Sequence, residues 1–221
     1  MKSHYSILTF IFFLLTNGLS ANPESIFAAV EFSFQSNETT GQLAIIQSNA
    51  KMRIDLETDE KKFPKTSTIV DIKSNSAKVL LHERQVYFTL DYGLVKMFGA
   101  QAKNDVIKNF SVIETPLSFS GETQEILGLS CRKYIYESET QSIEVWLTTK
   151  LSSWLEIDFL PLPKIVCDDR YIGFPIEIEM KSKNSSAVFK LTPISSAFTA
   201  APDHLFVEPE GYRKISMFGS E

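Results

Sequence analysis

The feature that most restricts this chain is a period of two in its apolar residues, repeated along most of its length. Met52, Ile54 and Leu56 alternate with Arg53, Asp55 and Glu57. Successive side chains on a strand point to opposite faces, so this pattern describes a strand with one covered face and one wet face. The same alternation places Val30, Phe32 and Phe34 together within Phe27–Phe34, and it recurs at Val70 and Ile72, at Val86, Phe88 and Leu90, and at Ile143, Val145 and Leu147. Its longest run joins Ile172, Phe174, Ile176, Ile178 and Met180, with Glu177, Glu179 and Lys181 opposite. Ala187, Phe189 and Leu191 read as its partner across a Lys183-Asn184-Ser185 turn. Asn37 to Gly41 reads as another turn, leading into a strand over Gln42 to Gln47. Pro175 cannot donate to a strand ladder and predicts a sheet edge or a strand entrance.

Two stretches depart from this period. Leu94, Met97, Phe98, Ala102, Val106, Ile107 and Phe110 recur near a helical spacing, and Gly99 weakens that helix by about 1 kcal/mol relative to alanine. Leu151 to Phe159 reads as a second, shorter helix, which Pro161-Leu162-Pro163 ends. Strands with two helices and no long linker describe one α+β domain, mainly antiparallel β.

The N-terminus reads as an export signal. Lys2 gives a positive start, Ile7 to Leu15 a short apolar run, and Thr16 to Ala21 small residues for cleavage after Ser20 or Ala21. A membrane span needs about 20 apolar residues, and this run is much shorter. The expected division is a cleavable signal at 1–21 and one domain at 22–221, with no transmembrane segment after cleavage and a periplasmic or secreted location. Loss of Lys2 takes the formal charge from −5 to −6. An acidic chain without basic runs excludes nucleic acid as a partner, because phosphate contacts require clustered Lys and Arg.

Cys131 and Cys167 are the two cysteines, and both fall in the exported portion. An oxidising compartment favours pairing them as a disulfide, whereas the alternative is two separate buried thiols. Chemistry is otherwise sparse. His82 and His204 each stand alone, and His82 reads as part of a strand end or turn. Asp55, Glu57, Asp59 and Glu60, and the pair Asp168-Asp169, read as solvated acids. With no metal-ligand spacing, nucleophile elbow, phosphate loop or dinucleotide fingerprint, no enzyme, metal or cofactor is expected.

Several segments carry a family resemblance: Gly121-Glu122-Thr123, Gly128-Leu129-Ser130-Cys131-Arg132-Lys133-Tyr134, Glu144 to Thr148, Gly173 to Ile178, and Leu205-Phe206-Val207-Glu208-Pro209-Glu210-Gly211-Tyr212. With Gly41 and Met52 to Asp55, this series resembles a bacterial family of uncharacterised exported domains related to the lipoprotein carriers LolA and LolB. The resemblance implies a curved, unclosed antiparallel β-barrel, a LolA-like half-barrel, with about two helices over its concave side. The tail motif itself reads structurally, with Phe206 packed, a turn at Pro209 to Gly211, and Tyr212 against the sheet edge. Given the bacterial resemblance, three glycosylation sequons at Asn37, Asn109 and Asn184 read as coincidental.

The expected function is therefore a non-catalytic carrier or binder of an apolar ligand: a lipid, an acyl chain or a lipoprotein. Met52, Ile54, Leu56, Phe88, Leu90, Ile176 and Ile178 would form its binding face. The alternative is a structural or interaction module with a filled core that docks another envelope protein.

Overall fold

In the computed structural model the described residues are 27–37, 39–48, 51–59, 65–97, 116–151, 165–199 and 202–216. The export signal at 1–21 and the helix expected over Leu151 to Phe159, apart from Leu151, lie outside them. So does most of the helix expected from Leu94 onward.

Two antiparallel meanders share one sheet. The first comprises β1 (Phe27–Gln35), β2 (Thr40–Ser48), β3 (Lys51–Thr58), β4 (Thr66–Asp71), β5 (Ser76–Leu81) and β6 (Val86–Asp91). The second comprises β7 (Ser118–Ile126), β8 (Leu129–Glu137), β9 (Gln141–Thr148), β10 (Phe174–Ser182) and β11 (Val188–Thr199). A last short strand, β12 (Arg213–Lys214), lies parallel to β6. The order β12-β6-β5-β4-β3-β2-β1-β11-β10-β9-β8-β7 seals the meanders through β1 and β11, and leaves β12 and β7 as unjoined edges. The sheet is thus mainly antiparallel and unclosed. The expectation of about two helices is not met among the described residues, where a single short α-helical segment at 92–97 follows β6.

The alternating segments become the strands expected of them, with instructive exceptions. Pro175 is the second residue of β10, at the strand entrance, and the β9 pairing shifts register between Pro175 and Glu177 to pass it. Ile172 stays outside that strand and is 79% exposed, contrary to its place in the sequence pattern. Gly41 is the second residue of β2 rather than the end of a turn, and a side chain there has no room: an added Cβ would come within 2.3 Å of the Glu57 carbonyl oxygen and 2.7 Å of the Phe34 ring. The β7–β8 hairpin turns through Leu127 and Gly128, both with positive φ, which suits a tight two-residue turn.

The two faces of the sheet are covered differently. On the core face one large apolar cluster draws Val30, Phe32, Leu43, Ile45 and Met52 from the first meander, and Val145, Ile176, Ile178 and Leu191 from the second. On the outer face of the first meander a smaller cluster gathers Ala29, Ile46, Ile69 and Leu80 beneath Phe206 of the C-terminal tail.

Candidate functional site

Cross-strand register explains how the expected apolar face is assembled. Met52 pairs with Val70, Val70 with Ala77, and Ala77 with Leu90, forming one row across β3 to β6. Two residues along, Ile54 pairs with Thr68, Thr68 with Val79, and Val79 with Phe88. Leu56 lies two residues further along β3 on the same face. All seven residues proposed from the sequence belong to, or pack against, the same cluster.

Their exposure divides them. Met52, Ile176 and Ile178 are each 0% exposed and Leu90 is 6% exposed, so the protein's own side chains already pack around them. Tyr92 and Val95, from the 92–97 segment just after Leu90, are buried in that same cluster. Ile54, Leu56 and Phe88, by contrast, are only partly buried, as are Phe34 and Val79 beside them. The core face is therefore shut at the Met52–Leu90 row and partly open from Ile54 to Leu56.

The outer face carries a polar network that sequence reading left scattered. Arg53 Nε donates to both carboxylate oxygens of Asp55, at 2.8 and 3.0 Å. Its Nη1 donates to the Leu205 carbonyl at 3.0 Å, and its Nη2 to Ser67 Oγ at 3.2 Å. Ser67 Oγ also donates to Asp55 and lies 2.6 Å from His82 Nε2. His82 Nδ1 is 2.5 Å from the Tyr212 hydroxyl. Since Ser67 gives its proton to Asp55, His82 donates from Nε2 and accepts the Tyr212 proton at Nδ1. Lys78 forms an ion pair with Glu208, tying the same tail to β5. His82 is thus half-buried and committed at both nitrogens, rather than an exposed turn residue. Burial is the main cause of its lowered pKa, and the nearby Asp55 opposes that shift. The hydrogen bond from Lys78 holds the Glu208 carboxyl below its ordinary range.

Serine, histidine and aspartate meet here, but not in the order that activates a nucleophile. That chemistry needs the acid on the far nitrogen of the imidazole. Here Asp55 holds the serine, Tyr212 occupies the far nitrogen, and Ser67 is 0% exposed. The network fastens the tail to the sheet. Its signal was present in the sequence as two separate motifs, Met52 to Asp55 and Leu205 to Tyr212, which the fold brings into contact. Asp55 is correspondingly not a solvated loop acid, since its side chain is 12% exposed within the Arg53 pair.

The disulfide expected between Cys131 and Cys167 is not formed; both are buried free thiols. Cys131 Sγ lies on β8 and donates to the Leu129 carbonyl at 3.3 Å, whereas Cys167 sits in a bridge to Leu117. Burial raises the pKa of both, Cys167 to about 11, so they stand as protonated, weakly reactive thiols near neutral pH. Beside them Arg132 stacks over Tyr171 and Phe119, and the Tyr134 hydroxyl donates to Asp169 at 2.8 Å. Burial is the first cause of the raised Tyr134 pKa, and that bond adds to it. Asp169 is thus partly committed to positioning Tyr134. Among the described residues no group of three or more His, Cys, Asp and Glu could hold a metal, and no helix is long and apolar enough to cross a membrane.

Comparison with known proteins gives a family model, Domain of unknown function (DUF4412), that matches residues 29–160. No curated protein matches the chain. Among solved structures, PNGF-II aligns at 15% identity and TM-score 0.39, over 86% of this chain and 30% of its own. An uncharacterized conserved protein from Thermus thermophilus aligns at 7% identity and TM-score 0.44, over 87% of this chain and 90% of its own. MucB aligns at 10% identity and TM-score 0.43, over 87% of this chain and 60% of its own. The chain thus spans under a third of PNGF-II and about three fifths of MucB. Nothing about ligand or partner follows from likenesses this distant.

Proposed function

This chain belongs to the DUF4412 family of domains of unknown function, and we propose that it is an exported, non-catalytic binding domain whose core face receives an apolar guest. One observation carries this reading. Along β3 the same face passes from fully buried Met52 to partly buried Ile54 and Leu56, with Val79 and Phe88 extending the uncovered strip across β5 and β6. Apolar area left at the mouth of a core gains about 25 cal/mol per Å² when a guest removes it from water. A lipid or acyl chain suits a strip that offers side chains with few hydrogen-bond donors. The reading includes a LolA-like half-barrel over residues 22–221, a signal removed at 1–21, and a periplasmic location. It narrows the binding face to Ile54, Leu56 and Phe88 with Phe34 and Val79, and makes Met52, Leu90, Ile176 and Ile178 the packed floor.

The test is mass spectrometry of protein purified from its own periplasm under native conditions. Lipid should accompany the wild-type chain and be depleted from a Leu56→Glu, Phe88→Glu variant that keeps its strand content. Lipid-free wild-type protein, or equal lipid on both, would count against the proposal.

A second reading rests on the free edge of β7, where Phe119 and Ile135 are each 39% exposed on the last two strands. There the domain docks an envelope protein. A periplasmic crosslink through β7 that forms with lipid-free protein would favour it.

A further inference from the structure

The sheet ends in two edges of opposite make. β12 is the short strand Arg213–Lys214, and both its residues are exposed. Brevity and basic side chains are how proteins blunt a sheet edge against other chains. β7, at the other end, runs for 9 residues, most of them exposed.

The free side of β7 is not uniform. Leu117, just before it, is already taken: its N–H donates to the Val166 carbonyl at 2.8 Å, and its carbonyl accepts from the Asp168 N–H at 3.0 Å. Phe119 pairs with Tyr134 and Thr123 with Arg132, so Ser120, Gly121 and Glu122 stand opposite Lys133 alone. A bulge of this kind bends its strand. Ser120 Oγ holds it, accepting from the Glu122 N–H and donating to the Lys133 carbonyl, both at 3.2 Å. From Thr123 to Ile126 the ladder with β8 is unbroken. Ser196 of β11 fixes the far end of this stretch by donating to the Leu127 carbonyl at 2.9 Å. Among the described residues no strand pairs with its outward side. The backbone groups on that side form a short, regular template.

The side chains choose the guest. Paired residues share a face. Thr123 and Glu125 therefore stand with Arg132 and Ser130, and Gln124 and Ile126 with Cys131 and Leu129, which are fully buried. Glu122 lies 3.6 Å from Lys133, whereas Glu125 is exposed and has no ion pair among the described residues. A second copy of the chain would bring another Glu122 and Glu125 to the same edge, and like charges across strands repel. A basic strand meets no such penalty, which is specificity by exclusion.

We infer that Thr123–Ile126 accepts, by strand addition, an extended segment of a partner protein in which a lysine or arginine, flanked by two apolar residues, lies opposite Glu125. This rests on the reading in which β7 docks an envelope protein, and it specifies how. The guest runs antiparallel to β7 and completes its ladder. Its apolar residues lie opposite Gln124 and Ile126, extending the side on which Cys131 and Leu129 are buried. A neutral polar residue follows opposite Thr123, since Arg132 stands next in that row.

The experiment is amide NMR of the mature chain titrated with acetyl-Thr-Val-Lys-Val-Thr-amide. Three relatives of that peptide complete the set: one with glutamate in place of lysine, and two forms N-methylated on alternate residues. The lysine peptide should give saturable shifts and slowed hydrogen exchange at Thr123 to Ile126. It should bind about fivefold tighter than the glutamate peptide, the scale of one cross-strand charge pair, and Glu125→Lys should reverse that preference. One methylated form should lose binding and the other keep it, because alternate N–H groups of a strand point to the same side. Equal effects of the two methylations would overturn strand addition while leaving side-chain docking at β7 intact. No saturable shift at β7, or a peptide preference unchanged by Glu125→Lys, would overturn the inference, and the periplasmic crosslink separately decides whether β7 docks a protein at all. Concentration-dependent changes at β7 without peptide would make the occupant a second copy, which overturns it too.

Discussion

The two faces of the first meander are built from the same strands, yet they are finished in opposite ways. On the outer face, β3 to β5 present Arg53, Asp55, Ser67 and Lys78, and each is bonded to the tail or to a neighbour that is. The tail then lays Phe206 over Ile69 and Leu80 and closes that surface. On the core face, β3 carries Met52, which is fully buried, and Ile54 and Leu56, which are only partly buried. A polar latch closes one surface, while the other is closed at one end and left partly open at the next row.

The sharpest way to break this contrast is along β3 itself. Met52→Ala should cost about 2–5 kcal/mol, as expected for a fully buried side chain, whereas Leu56→Ala should cost clearly less. Urea unfolding measures both, and equal losses would erase the distinction between the shut and open rows. Next comes Arg53→Ala, which leaves Asp55 and the Leu205 carbonyl without their charged partner. It should cost about 1.5–3 kcal/mol and speed proteolysis of the chain beyond residue 202. Unfolding and limited digestion together would show whether the latch holds the tail.

The latch also predicts a pH response. His82 has a lowered pKa in the fold, against an ordinary value of 6.5, so the folded state takes up its proton less readily than the unfolded chain. The stabilisation is fully present above about pH 6.5 and is lost as pH falls through that value toward the lower folded pKa. Melting temperature measured across this window should fall in the wild type and flatten in His82→Gln. The smallest effect belongs to Lys78→Ala. That pair is about one third exposed, and such pairs contribute about 0–1 kcal/mol. A larger loss in a melting experiment would make the ion pair, rather than Arg53 and His82, the main fastening.

Much of this contrast was legible in the sequence, because strand periodicity is local. Met52 to Leu56, Val86 to Leu90 and Ile143 to Leu147 announced their strands through alternation alone. β5 and β7 were not announced. In β7 most side chains are exposed, and the free edge demands no apolar stripe. The latch was hidden for a different reason. Arg53 and the Leu205 carbonyl are 152 residues apart in the chain yet joined by a 3.0 Å hydrogen bond, and no spacing rule links them. The register shift between Glu31 and Phe32 depends on the pairing of β1 with β11, and the places of Cys131 on β8 and of Cys167 in a bridge to Leu117 depend on which segments meet. Only tertiary structure decides such features.

The central claim is that the row beginning at Ile54 can take an apolar guest without disturbing the fold. Titration of a fluorescent fatty acid into the mature chain tests it most directly. Saturable emission, displaced by unlabelled fatty acid and lost in a folded Leu56→Glu, Phe88→Glu variant, is the predicted result. Absence of saturable binding to folded wild-type protein, or undiminished binding by that variant, would contradict the account.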